Sequence, residues 1–426
     1  MKKIDTSNLK GVTDYLGEEQ KVRNNIINIL RNTFENYGFV PLDSSILYNY
    51  DILAYKYTED AEILKEIYTL RDQGDRKLAL RYDLTIPFCK VIANKKDLRL
   101  PLRRYEIGKV FRNGPVKLGR CREFYQCDID VVGIDGTDIE VEQMMLVCNV
   151  FDKLGINIVI KWNNRKLMSS LINYVGIPLD KVELAIGIID KLEKISKDEI
   201  VKEFDNIGIS NDIVDKLFDL FSRDINYYNT LDIQNELFTE GLREVNEISN
   251  KLTKLGIISK TKFTPSLARG LSIYTGTVFE FFDVEKRLTC SLGGGGRYNK
   301  IITEFIDDGE VYPAVGLSFG LEPIYTIIKD KFSSNSLTDI YIIPMGTETE
   351  CIKLAESLRK INKNVLIEFN KRKLKRCFEY ADKEKIKYVI VVGEDEINNN
   401  TYTMKNMETG EQFKLNEKEL VDYFNN

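Results

Sequence analysis

Arginine grips phosphate with a flat, permanently charged fork. Four arginines of this chain, Arg112, Arg120, Arg122 and Arg269, stand in or beside stretches that read as strand. Residues 267–280 run LARGLSIYTGTVFE. Past Arg269, alternation along an extended chain puts Gly270, Ser272, Tyr274, Gly276 and Glu280 on one face and Leu271, Ile273, Thr277 and Phe279 on the other. The second face is core material. The first is small or polar, and glycines in a strand often mark the approach of a ligand. A strand over 120–133 lines up Arg120, Arg122, Phe124, Gln126, Asp128 and Asp130, while Cys121, Tyr125, Cys127, Ile129 and Val131 face the core. Asp83, Thr85, Gln126, Asp130 and Tyr274 offer acceptors suited to an ammonium and a small polar side chain. Because a buried unpaired carboxylate is costly, such a pocket implies a cationic or donor-rich ligand. Residues 293–296 are consecutive glycines, which let a backbone come close to a planar or phosphorylated ligand. They have neither P-loop nor Rossmann spacing. Taken singly, an arginine here is a surface ion pair and the glycines are a flexible loop; the set together outlines a site for phosphate and a cation.

The chain has no histidine at all among its 426 residues. That removes the imidazole base, nucleophile partner and metal ligand, and with them most hydrolase triads and zinc enzymes. Cys89, Cys121, Cys127, Cys148, Cys290, Cys351 and Cys377 form no CxxC pair, which argues against a zinc site and a disulfide framework. Catalysis is left to carboxylates, arginines, tyrosines, backbone amides and Mg²⁺. Hydrophobic residues at 43% and charged residues at 30% are ordinary for a soluble globular protein. No run approaches a membrane span, and residues 1–20 lack the apolar core of a secretory signal, so a cytoplasmic location is expected. The net charge of −5 gives no global pull on nucleic acid but leaves room for local basic patches.

These side chains need elements to hold them. Spacing predicts a helix over 18–37, a strand in FVPLDSSIL, a hairpin within 66–93 leading through Pro87 into a helix, strands over 102–112 and 120–133, and a helix over 137–154. From about 166 to 258 the pattern is amphipathic helix, an insertion between two β-rich halves. After KFSSNS, strands and helices alternate: DIYIIP, a helix at 349–362, NVLIEF, a helix at 372–384, YVIVVGEDE, and a terminal hairpin over 401–414. The basic run KRKLKR over 371–376 reads first as a solvated helix start and second as an RNA contact.

At these residues the sequence resembles the histidyl-tRNA synthetases, a class II aminoacyl-tRNA synthetase family. LARGLSIYTGTVFE resembles the signature around the family's catalytic arginine, and SLGGGGRYN its second signature. FRNGPVKLGRCREFYQCDID is similar to class II motif 2 and LRYDLTIP to the amino-acid-binding segment, both in wording nearer archaeal and eukaryotic members. AVGLSFGLEPI stands at motif 3, and residues 338–426 resemble the anticodon-binding domain. The resemblance implies an α+β fold, a class II antiparallel sheet flanked by helices. It implies a catalytic domain over 1–330 with a helical insertion at about 166–258, a linker over 331–337 and an α/β anticodon-binding domain over 338–426. It also implies a homodimer formed partly near Pro41, with Mg²⁺-ATP, histidine and histidine tRNA as ligands.

By position, Arg112 and Arg269 are the implied catalytic pair, and Asp83, Leu84, Thr85, Arg112, Gln126, Asp130, Arg269, Ile273 and Tyr274 the implied histidine pocket. Arg112, Arg120, Phe124 and Glu322 are implied for ATP, with Phe124 stacked on adenine. The chain departs from the family wording at Pro323, where motif 3 has arginine, at Ser272 and Ile273, and at Asn299. The loop over 113–118 also lacks the bacterial wording. The leading expectation is a histidine–tRNA ligase; the alternative is a synthetase-like regulatory or sensor protein that binds histidine or tRNA.

Overall fold

Helical spacing succeeds where apolar residues recur on one stripe. Ile26, Leu30 and Phe34 are all buried along the helix Glu18–Asn36, and Gly38 takes a left-handed φ of +78° to release the chain. The computed structural model describes residues 4–55, 62–95, 98–192, 195–268, 273–331 and 336–425. They form two compact units, one of residues 1–14 with 23–328 and one of 15–22 with 329–426.

In the first unit the strand expected in FVPLDSSIL divides. β1 (Val40–Pro41) pairs parallel with a later strand, whereas β2 (Leu47–Asn49) joins the hairpin of β3 (Thr69–Arg71) and β4 (Lys77–Leu80) in a separate three-stranded sheet. Pro41 has no N–H for a ladder, so it suits the sheet edge that β1 occupies. The main sheet adds β5 (Leu102–Phe111), β6 (Glu123–Val132), β7 (Ile158–Asn164), β8 (Thr261–Phe263), β9 (Thr277–Asp283), β10 (Gly293–Arg297) and β11 (Ala314–Gly320). Its order is β1-β5-β6-β11-β10-β9-β7-β8, antiparallel except for the two outermost pairings.

One face of this sheet is aromatic core. The rings of Phe34 and Phe151, from the helices Glu18–Asn36 and Thr137–Leu154, lie 5.7 and 5.9 Å from the ring of Phe319 on β11. Phe281 of β9 sits 5.2 Å from Phe319. The four glycines are therefore a strand rather than a loop. A Cβ on Gly293 would lie 2.4 Å from the Phe281 ring, so β10 fits there only because it is bare. The opposite face of the sheet carries the polar rows.

Between β7 and β8 the expected insertion holds the helices Arg165–Tyr174, Val182–Ile189, Lys197–Asn206, Asn211–Phe221, Ile225–Tyr228 and Glu236–Lys254. Ser196 and Glu199 close a reciprocal capping box at one of them, and Asn164 and Asn235 cap two others.

The second unit is α/β. Its sheet runs Val365–Ile367 (β13), Ile340–Pro344 (β12), Tyr388–Val392 (β14), Tyr402–Asn406 (β15) and Gln412–Leu415 (β16), with the first three parallel and the last two antiparallel. The terminal hairpin turns at Gly410, φ +76°. Two helices go beyond the sequence expectation, Glu394–Asn398 and Glu417–Asn425. The second is capped by Asn416 and buries Leu420.

Candidate active site

The polar rows converge on a cavity of about 450 Å³ in the first unit. Its floor is β6, where a two-residue period brings Gln126, Asp128 and Asp130 to one face. Their partners on β11 are Gly320, Ser318 and Gly316, small residues that leave the floor open. A Cβ on Gly316 would lie 2.0 Å from Asp130 Oδ1. On the other side, β5 pairs Gly108, Glu106 and Arg104 with the same three residues.

One wall is the turn from β4 into the helix Thr85–Asn94. Asp83 accepts the N–H of Ile86 at 3.1 Å, which fixes its carboxylate at the helix start beside Thr85. Arg112 follows β5, its Nε donating to the Tyr82 carbonyl at 3.0 Å and its guanidinium 5.2 Å from the Phe124 ring centroid. Ile273, Tyr274, Tyr298, Glu280, Gly294 and Gly295 line the far side, and Asp190 reaches in from the insertion.

The structure brings Asp83, Thr85, Arg112, Gln126, Asp130, Ile273 and Tyr274 to this one cavity. Leu84 is buried beside it, its carbonyl accepting from Arg104 Nη2 at 3.1 Å. Phe124 lies under Arg112. Glu322 is outside the lining: its carboxylate is 2.8 Å from Arg23 Nη2 and accepts the N–H of Tyr125 at 3.0 Å. Arg269, Gly270, Leu271 and Ser272 lie outside the described residues.

Two sequence expectations need correction. Arg120 and Arg122 are not on the strand, because β6 begins at Glu123. Gly119, at φ +77°, and the Lys117–Arg120 bridge turn the chain there, and Arg122 N–H is taken by the Gly11 carbonyl at 2.8 Å. Ile273 does not face away from Tyr274. Both line the cavity, since the regular alternation of β9 starts only at Thr277.

Sequence reasoning missed the buried charges beside the floor. Arg104, 1% exposed, places Nη2 2.6 Å from Asp130 Oδ2 and Nη1 3.7 Å from Glu106 Oε2. Glu106 also meets Arg81 at 2.8 Å. Tyr298 donates its hydroxyl to Asp130 Oδ1. The signal was present in LRRYEIG, where alternation sets Arg104, Glu106 and Gly108 on one face. Burial pushes Asp128 up to about 8, with Arg104 pulling the other way and Asp130 adding to the rise. Burial likewise raises Asp130, against the pull of Arg104 and Tyr298.

Chemically, the cavity offers a guanidinium at its mouth, over an aromatic ring, and carboxylates in its depth. That polarity suits a zwitterion whose anionic end points to Arg112. Residues 11–324 match the family described as histidyl-tRNA synthetase, and residues 339–426 match an anticodon binding domain. The chain is 44% identical to the histidine–tRNA ligase 1 of Bacillus cereus over 99% of its length and all of that protein. It is 33% identical to the histidine–tRNA ligase of Clostridium tetani, covering 99% of each. Among solved structures it is similar to the histidyl-tRNA synthetase of Nostoc sp. PCC 7120, with TM-score 0.84, 27% identity and 99% of both chains covered. A Bacillus halodurans protein titled as an ATP phosphoribosyltransferase regulatory subunit/histidyl-tRNA synthetase shares the fold, with TM-score 0.77 at 20% identity over 92% of this chain and 99% of its own.

Proposed function

The chain belongs to the histidyl-tRNA synthetase family, and from that premise we propose how it works as a histidine–tRNA ligase. Its substrates are histidine, ATP and tRNA. In the first step a carboxylate oxygen of histidine bonds to the α-phosphorus of ATP, the bond to the bridging oxygen breaks, and pyrophosphate leaves. In the second, a ribose hydroxyl at the tRNA 3′ end attacks the acyl carbon and AMP departs.

Activation needs no histidine base, because the attacking carboxylate is already ionised at neutral pH; it needs positioning and fixed positive charge. Arg112 holds the histidine carboxylate and the α-phosphate, and Phe124 stacks on adenine. Arg269 stabilises charge growing on the α-phosphate. Asp83 and Thr85 hold the ammonium, with Gln126 near them, and Asp130 and Tyr274 serve the imidazole. Mg²⁺ carried with the nucleotide supplies charge neutralisation at its phosphates. No three-ligand cluster for a metal exists among the described residues, and Glu280 is a cavity carboxylate that suits an ion arriving on ATP. The second unit reads the tRNA, with the exposed residues Lys371, Lys373, Lys375 and Arg376 on its basic run. A homodimer through the β1 edge and work in the cytoplasm complete the reading; no helix among the described residues is long and apolar enough to cross a membrane.

The observation that carries this reading is the convergence of Asp83, Thr85, Arg112, Gln126, Asp130 and Tyr274, from separate elements, on one cavity. Histidine-dependent exchange of pyrophosphate into ATP tests it. Exchange is expected with histidine and Mg²⁺-ATP alone, and histidine tRNA should then be charged. No exchange at saturating substrates would overturn the assignment, and exchange without charging would restore the sensor alternative.

A further inference from the structure

We propose that Asp128 is the carboxylate that receives the α-ammonium of histidine, a substrate-binding residue additional to Asp83 and Thr85. The inference rests on the ligase reading above. Three aspartates of the motif segments face the cavity, and Asp130 alone among them has both oxygens engaged by described residues. Asp83 gives Oδ1 to the Ile86 N–H. Asp130 takes the Tyr298 hydroxyl on one oxygen and lies against Arg104 with the other. Asp128 is 3% exposed, and its Oδ1 has no hydrogen-bond donor among the described residues. The Ser318 hydroxyl, opposite on β11, supports the carboxyl.

The surrounding charge is lopsided. Among the described residues in and beside the cavity, Arg81, Arg104 and Arg112 supply three positive charges against seven carboxylates, those of Glu66, Asp83, Glu106, Asp128, Asp130, Asp190 and Glu280. Arg104 is spread over Asp130, Asp128 and Glu106. A buried site short of positive charge calls for a ligand with a full charge and N–H donors. Histidine at neutral pH has one such group, its ammonium, because its imidazole is mostly uncharged. With burial holding the free Asp128 near 8, its carboxyl keeps a proton at pH 7 in the empty site. When the ammonium arrives, that proton passes to the solvent and the ion pair forms.

Calorimetric titration of histidine into the full chain at pH 7, in buffers of different ionisation enthalpy, counts the proton. Release of close to one per histidine is expected. Asp128→Asn should abolish the release and weaken histidine roughly 10- to 100-fold. Histamine, which keeps the ammonium, should weaken in parallel, while imidazolepropionate, which lacks it, should bind the variant as well as the parent. Histidine binding by the parent without proton release overturns the proposal, as does a variant with unchanged affinity. So does an equal loss for both analogues, which would put the imidazole at Asp128. Failure of the parent to bind histidine would instead overturn the ligase reading. If the variant does not fold, the proton count on the unaltered chain decides alone.

Discussion

Arg297 and Glu140 are joined at 2.8 Å with both side chains buried, and this bond ties the glycine strand β10 to the helix Thr137–Leu154. The other prong of Arg297 reaches Glu244 at 2.9 Å, on the longest helix of the insertion. Glu244 in turn accepts from Asn164 Nδ2 at 2.6 Å and meets Lys166 at 3.0 Å. The arginine of GGGGR is thus a rivet between sheet and insertion, outside the lining of the cavity.

Arg297→Met should destabilise the catalytic unit by about 3–5 kcal/mol, since it strands two buried carboxylates that lose their shared cation. Urea denaturation followed by circular dichroism measures it. A loss below 1 kcal/mol would mean that Lys166 and Asn164 suffice for Glu244 and that Glu140 goes neutral at no cost.

Glu140 also predicts a pH dependence. Burial pushes its carboxyl up to about 7, against the pull of Arg297 and Thr277. The folded value lies above the unfolded one, so the stability it contributes is full below about 4.5 and is lost as pH rises through 7. Glu140→Gln keeps an acceptor for Arg297 and removes the titration. Stability plotted against pH between 5 and 7 should flatten in the variant, by at most about 1.4 kcal/mol per pH unit for one proton. Parallel curves for the two proteins would rule the effect out.

Arg112→Ala should lower the exchange rate about 100- to 1000-fold. Arg112→Lys should recover little, because an ammonium on a flexible stem cannot both bond the Tyr82 carbonyl and lie over Phe124. Arg269→Ala should also cut adenylation by orders of magnitude yet largely spare histidine binding. Steady-state exchange together with calorimetry separates the two roles, and equal loss of binding in Arg269→Ala would reassign that residue.

Gly316→Ala should weaken both fold and site. The new methyl would sit 2.0 Å from Asp130 Oδ1 and 2.7 Å from its Cγ, so the carboxylate must move off Arg104 and Tyr298. A cost of about 1–3 kcal/mol in unfolding, with a raised KM for histidine, is expected. An unchanged KM would show that Asp130 has room to spare.

Much of this was legible in local pattern. The helix Thr137–Leu154 appears over the span its periodicity predicts, and the β6 row delivers Gln126 and Asp130 to the cavity. The terminal helix Glu417–Asn425 goes beyond the sequence expectation, although NEKELVDYF carries a cap and apolar residues four apart. Alternation puts Arg120 and Arg122 on a strand because it does not reveal where a ladder stops. It stops where Gly119 turns and the Gly11 carbonyl takes the Arg122 N–H.

The sequence by itself determined which side chains are available for binding: arginines that suit phosphate, aspartates that suit an ammonium, and no histidine for a base. It also marked most of the longer helices and strands, since those periods are local, but not where β6 begins nor the helix Glu417–Asn425. Which partners each buried aspartate has was decided only by tertiary structure. Strand pairing across more than a hundred residues sets Ser318 against Asp128 and Gly316 against Asp130, while Arg104 from β5 pairs with Asp130 and the Tyr298 hydroxyl, from beyond β10, donates to it. A carboxylate's availability depends on neighbours distant in the chain, and no local spacing encodes them.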